Sequence, residues 1–164
     1  MPPADDILYS IAARIGRRLV AARLTLAAAE SCTGGWISKT VTDVAGSSLW
    51  FTEGFVTYSN DAKHKRLGVP TSMLRKHGAV SEATARAMAA GALRRARADV
   101  AIAVTGIAGP GGGVPGKPVG TVWLAWARRR GRRVETAVEL RHFRGDREAI
   151  RRKTVRAALL GLMG

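Results

Sequence analysis

The sequence predicts an α/β fold, and two observations carry that expectation. Segments with apolar residues at helical spacing alternate with short Val/Ile/Ala-rich segments, the pattern of helices laid against a sheet. Residues 99–105 (Asp-Val-Ala-Ile-Ala-Val-Thr) are almost uninterruptedly apolar, as a strand buried on both faces must be. A chain of 164 residues that is 46% apolar is long enough to bury a real core. It shows no linker or internal repeat, so a single domain over 1–164 is expected.

Taken in order, the elements are as follows. Ile7, Leu8, Ile11, Ile15 and Leu19 stripe one side of residues 5–22, an amphipathic helix with Arg14, Arg17 and Arg18 toward water. A strand follows at about 24–30, then a helix at about 34–44 and a turn at Gly46-Ser47-Ser48. Residues 49–58 read as a buried strand. Ser59 is a suitable N-cap for a short helix to Leu67, which Gly68-Val69-Pro70 ends. Thr71–His77 is a second short helix, and Ser81 caps a long one to about Arg97. After the strand at 99–105 comes a Gly/Pro loop over 106–118. Residues 119–128 and 133–143 read as a hairpin joined at Arg130-Gly131-Arg132. Asp146 then caps a helix carrying Ile150, Val155, Ala158, Leu159 and Leu162.

Composition narrows the classes. No apolar run approaches the roughly 18 residues that span a bilayer. The start, Met1-Pro2-Pro3-Ala4-Asp5-Asp6, lacks the form of a signal peptide. The single cysteine excludes an internal disulfide, and a cytoplasmic protein with no membrane partner is expected. His64, His77 and His142 show no ligand spacing, so neither a metal nor a cofactor is implied. The net charge is +15, and 12 of the 27 basic residues lie between Arg128 and Arg156. Such a segment is either a solvated face or a surface for nucleic acid or a phosphorylated metabolite. The scarcity of aromatics argues against single-strand stacking. A homo-oligomer is expected, with Trp50, Phe51 and the apolar helix faces available for an interface.

Four segments can carry chemistry. Glu30-Ser31-Cys32-Thr33-Gly34-Gly35 sits where a strand hands over to a helix. The amides of Thr33, Gly34 and Gly35 could hold an oxyanion. Ser31 and Cys32 are rival nucleophiles there, and a plain N-cap by Ser31 or Thr33 is equally open. Thr57-Tyr58-Ser59-Asn60-Asp61-Ala62-Lys63 follows another strand. A desolvated Lys63 can act as a base or polarise Tyr58. The alternative is an ordinary capped helix with a solvated lysine. Thr105-Gly106-Ile107-Ala108-Gly109-Pro110-Gly111-Gly112-Gly113 follows the buried strand. It is either a phosphate-cradling loop or a flexible turn, and it matches neither a Walker A loop nor a dinucleotide fingerprint. Arg147 in the first turn of the last helix is a carboxylate or phosphate clamp, or a surface ion pair.

Together these runs resemble the CinA C-terminal domain family, and within it the stand-alone PncC-type nicotinamide-nucleotide amidohydrolases. The matching runs are 29–35, 54–60 with Ala62-Lys63, 78–82, 105–110, 118–121 and Phe143-x-Gly145-Asp146-Arg147. No matched position departs from the pattern, and the basic segment 128–156 is not part of it. The resemblance implies a three-layer α/β/α sandwich with a mixed, mostly parallel sheet of about five strands. It implies hydrolysis of nicotinamide mononucleotide to nicotinate mononucleotide and ammonia. It makes Ser31 the nucleophile, with Tyr58 and Lys63 assisting, and places Thr33, Gly34 and Gly35 at the substrate. Thr105, Gly106, Gly109 and Gly111 would line the nucleotide site, with Arg147 beside them. The rival reading is a non-catalytic nucleotide- or nucleic-acid-binding module.

Overall fold

The computed structural model describes residues 4–164, so the expectation made on the first residues lies in part outside them. Chain order is α1 (Ala4–Ala22), β1 (Leu26–Glu30), α2 (Trp36–Thr42), a 3₁₀ turn (Ser47–Leu49), β2 (Phe51–Val56), α3 (Asn60–Leu67), α4 (Thr71–His77), α5 (Glu82–Ala96), β3 (Val100–Gly106), β4 (Thr121–Arg130), β5 (Arg133–His142) and α6 (Arg147–Leu160). The five strands form one sheet in the order β2-β1-β3-β4-β5. β1 pairs in parallel with β2 and β3, whereas β3–β4 and β4–β5 are antiparallel. Four strands therefore run one way and β4 alone runs against them. The mixed, mostly parallel sheet is as expected.

Alternation along the central strands gives the two faces different characters. Leu26, Ala28, Ile102, Val104 and Leu124 point to one face, where α1, α2 and α6 bring Leu8, Ile15, Ile37, Val41, Ile150 and Leu159. The opposite face of these strands is alanine: Ala27, Ala29, Ala101, Ala103, Ala125 and Ala127. Small side chains let a helix lie close, and α5 fills that face with Ala85, Met88, Ala89, Ala92 and Leu93, beside Leu67 of α3 and Leu74 of α4. Gly91 on α5 is where the approach is tightest. A Cβ there would overlap the Leu67 carbonyl at the end of α3.

The caps expected of Ser59, Ser81 and Asp146 form, whereas neither Ser31 nor Thr33 caps α2, whose N-cap residue is Gly35. The Ser59 hydroxyl accepts from Ala62 N at 3.1 Å, that of Ser81 from Thr84 N at 3.2 Å, and the Asp146 carboxylate from Ala149 N at 2.8 Å. Each contributes roughly 1 kcal/mol. Gly68 ends α3 in the left-handed conformation, as expected.

Three expectations are corrected. The segment 49–58 is not a buried strand: β2 covers only Phe51–Val56, and its middle residues are exposed. It is an edge strand, and an apolar run does not by itself reveal which strand ends a sheet. Trp50, offered for a subunit interface, is 2% exposed and belongs to the core. Helix α2 begins at Trp36, not residue 34, because Gly34 and Gly35 take φ of +59° and +98°.

The basic segment is split by the topology. Arg128 pairs with Val100, so the hairpin tip Arg129–Arg133 projects at the edge where β1 and β3 begin. Arg147 and Arg151 are carried on α6. Among the described residues no helix is long and apolar enough to cross a membrane.

Gly91→Ala should destabilise the fold by about 1–3 kcal/mol through overpacking. Thermal unfolding followed by circular dichroism measures this. An unchanged melting temperature would show that α3 and α5 separate freely.

Candidate active site

The carboxyl ends of β1, β2 and β3 lie side by side, since Glu30 pairs with both Val56 and Val104. Parallel α/β sheets bind ligands at this edge. The chain leaves β1 through Glu30, which is fully buried. Its carboxylate accepts from Thr33 Oγ1 (2.7 Å), Ile37 N (2.7 Å), Ser38 N (2.9 Å) and Ser38 Oγ (2.7 Å). Two of those donors are orphan amides in the first turn of α2. Glu30 thus caps α2 from the end of β1, and the intervening Ser31–Gly35 is drawn into a tight turn. The left-handed φ at Gly34 and Gly35 is accessible to glycine at little strain.

Ser31 is held at the head of this turn. Its N–H donates to Val104 O of β3 at 3.1 Å, and its carbonyl accepts from Gly34 N at 3.1 Å. Its hydroxyl oxygen accepts from Lys63 Nζ at 3.0 Å. Lys63, on α3, is 1% exposed. Its ammonium also donates to the carbonyls of Thr57 (2.9 Å) and Tyr58 (3.4 Å). No carboxylate pairs with it among the described residues. Burial pushes its pKa below the ordinary lysine value, and Cys32 is the only opposing influence. Cys32 exerts little at neutral pH, because burial first, then Glu30, push its own thiol up to about 12. Cys32 is 6% exposed and uncharged, a packing residue beside Ser31.

The remaining expected residues divide. Arg147 donates to Gly109 O at 2.6 Å and to the Tyr58 hydroxyl at 3.1 Å, and has no carboxylate partner among the described residues. It ties the glycine loop to the α3 side of the site. Tyr58 is 62% exposed. What it offers Lys63 is its main-chain carbonyl, while its phenol faces Arg147. Thr33 and Thr105 are buried with their hydroxyls committed, to Glu30 and to Ala79 O (2.8 Å). Gly106 ends β3 against Val122, Gly109 is buried under Val119, and Gly111 is exposed with nothing near it. Of the amides expected at an oxyanion, those of Thr33, Gly34 and Gly35, the Gly34 N–H is consumed by Ser31 O, while Glu30 takes the Ile37 and Ser38 N–H groups of α2. Among the described residues, the N–H groups of Thr33 and Gly35 carry no acceptor within the chain, and of these Thr33 is fully buried while Gly35 is partly exposed.

Sequence reasoning missed the roles of two residues. Glu30 stood in the motif without a function, although a carboxylate just before a helix start is a capping signal. Arg151 had no signal. It lies in a basic helix 118 residues away from Thr33, yet donates from Nη2 to Thr33 O (2.9 Å) and from Nε to Cys32 O (3.1 Å). Its guanidinium lies 5.5 Å from the centre of the Trp36 ring, on which Arg152 also rests at 4.9 Å. One buried hydroxyl, that of Thr57, has no partner among the described residues. No group of three or more His, Cys, Asp or Glu among them could hold a metal ion.

The family model described as "CinA C-terminal domain" matches residues 8–164. A nicotinamide-nucleotide amidohydrolase PncC of Escherichia coli K12 is 51% identical over 94% of this chain and 92% of its own length. One from Pseudomonas putida is also 51% identical, over 96% of each. The crystal structure of a competence/damage inducible protein from Agrobacterium tumefaciens superposes with a TM-score of 0.90 at 48% identity, over 99% of this chain and 96% of the other. The chain belongs to the CinA C-terminal domain family and is an enzyme of the amidohydrolase class.

Proposed function

We propose that this chain hydrolyses the carboxamide of nicotinamide mononucleotide by a serine–lysine mechanism. The observation that carries the mechanism is the contact of 3.0 Å between a buried Lys63 amine, without a carboxylate, and the Ser31 hydroxyl. The substrate is taken from the relatives named nicotinamide-nucleotide amidohydrolase.

A hydroxyl attacks an amide only when a base accepts its proton and donors receive the charge that develops on oxygen. Neutral Lys63 takes the Ser31 proton as Oγ bonds to the carbonyl carbon. The free N–H groups of the turn receive the oxyanion. Lys63 then returns the proton to the leaving nitrogen, the C–N bond breaks and ammonia departs, leaving an ester on Ser31. Water attacks the ester, its proton passing to Lys63 and on to Ser31 Oγ, and nicotinate mononucleotide leaves. Tyr58, whose phenol holds Arg147, acts at the rim. The unneutralised Arg147 and the 108–113 loop, whose N–H groups have no acceptor among the described residues, suit the substrate phosphate.

Ammonia release from the mononucleotide tests this reading. Ser31→Ala should abolish it, whereas Cys32→Ala should stay within a few-fold of the native rate; wild-type turnover by Ser31→Ala would remove the nucleophile assignment. Lys63→Met should reduce kcat by about 10³-fold. Because the reactive form is the neutral amine, native activity should fall as pH drops through the lowered Lys63 pKa, an inflection below 10.5. The same shift fixes a stability change. The unfolded chain binds the lysine proton up to about 10.5 while the folded one resists it. Protonation therefore disfavours the fold increasingly as pH falls through that window. Lys63→Met should raise Tm at neutral pH, and the gain should shrink as pH approaches 10.5. Arg147→Met should raise KM for the mononucleotide about tenfold, with a smaller effect on nicotinamide riboside, which lacks the phosphate.

A further inference from the structure

The part of the basic segment that the active site leaves unused gathers at the pole of the fold opposite Ser31, where β1 and β3 begin. Asp99 ties three chain segments together there. Its carboxylate accepts from Thr25 N and Thr25 Oγ1, at 2.8 and 3.0 Å, and its carbonyl accepts from Arg129 N at 2.9 Å. Arg23 stands just before Thr25 and Arg97 just before Asp99, while Arg129 opens the hairpin tip that holds Arg130, Arg132 and Arg133. All six arginines are exposed. Arg130 pairs with Glu135, and the other five form no ion pair among the described residues. The carboxylates of these segments, Asp99 and Glu135, are thus both occupied.

Backbone conformation sets Arg23 and Arg97 apart. Helices α1 and α5 end in the same way. Leu24 N–H returns to Leu19 O (2.9 Å) and Ala98 N–H to Leu93 O (3.1 Å), with Arg23 at φ 55° and Arg97 at φ 52°. That left-handed position suits glycine and strains a residue that carries a Cβ. Every other left-handed residue among those described is glycine. Attraction of a cation to a helix carbonyl end does not require the strain, since Arg94 and Arg95 already serve the last turn of α5. We infer that this pole is a docking surface for the phosphate backbone of double-stranded DNA, independent of the serine mechanism. No lysine and no aromatic residue lies within 18–25, 92–100 or 127–134. Arginine's planar fork matches phosphate oxygens, and without aromatics there is nothing on which single strands stack. The hairpin tip is a two-stranded ribbon with open space around Gly131. The major groove of B-form DNA admits such a ribbon, whereas the deep, narrow one of duplex RNA does not.

Fluorescence anisotropy of a DNA duplex of about 20 base pairs, titrated with the native chain from about 50 to about 200 mM salt, tests this. Five unpaired arginines on phosphates should give a log–log salt slope of about −4.5. Replacing two of them together, Arg132→Gln with Arg133→Gln, should weaken binding about 10- to 100-fold near 100 mM salt and reduce the slope by about 2. Arg23→Gly and Arg97→Gly, which relieve the strained backbone, should each reduce it by about 1 at native or higher Tm. Ammonia release from nicotinamide mononucleotide should stay native in all of these variants, because the pole lies at the opposite end of the sheet from Ser31. No duplex binding at the lowest salt, or a slope unchanged in the variants, overturns the inference. So does equal or tighter binding of a single strand or duplex RNA of the same length, or binding to phosphatidylglycerol vesicles in place of the duplex. If the glycine variants do not fold, the hairpin pair decides by the same slope.

Discussion

The Glu30 carboxylate is the interaction on which the site depends. A buried carboxylate is tolerable only when its oxygens are fully hydrogen-bonded, and here four donors meet it. Two of those donors are orphan amides of α2, which would otherwise need another partner. One group therefore satisfies a helix end, fixes the distance between β1 and α2, and compels five residues to close a turn between them. Ser31 heads that turn. Its orientation follows from backbone geometry and from two distant partners, Lys63 on α3 and Arg151 on α6.

Lys63 shows how this fold sets reactivity against stability. Its ammonium is stripped of water and receives only a hydroxyl and two main-chain carbonyls. A carboxylate at the same place would hold the proton and leave no base. Cys32 is the group whose charge would raise the Lys63 pKa, and the burial that it shares keeps its thiol uncharged. The desolvation that lowers the Lys63 pKa thus also keeps the Cys32 thiol uncharged. The buried lysine weakens the fold at neutral pH, and the surrounding core sustains it. The alanine face of the sheet lets α5 lie close, and the branched face packs α1, α2 and α6.

Local chemistry made much of this legible. Ser59, Ser81 and Asp146 act as caps because a side-chain oxygen three residues before a free N–H needs no tertiary help. β3 is central because seven nearly unbroken apolar residues can only be covered on both faces. β2 was misjudged because its apolar residues carry no mark of edge position, and Trp50 because a large aromatic suits a core and an interface equally. The resemblance places Thr33 and Thr105 at the substrate. Their hydroxyls turned inward, a choice made by acceptors on Glu30 and Ala79 that no local pattern displays.

By itself the sequence determined the α/β class, the order of the elements and the residues at strand ends, because periodicity, capping and glycine conformation act within a few residues. It also determined that Ser31, Lys63 and Arg147 are available at that edge. Tertiary structure alone decided what they touch. It delivered a buried amine to the Ser31 hydroxyl and buried the neighbouring Cys32 thiol. It gave the Tyr58 phenol to Arg147, and it brought Arg151 across 118 residues to the carbonyls of Thr33 and its neighbour. Those outcomes depend on distances of a few ångströms between elements that meet only when the sheet is assembled, and on the desolvation that assembly imposes.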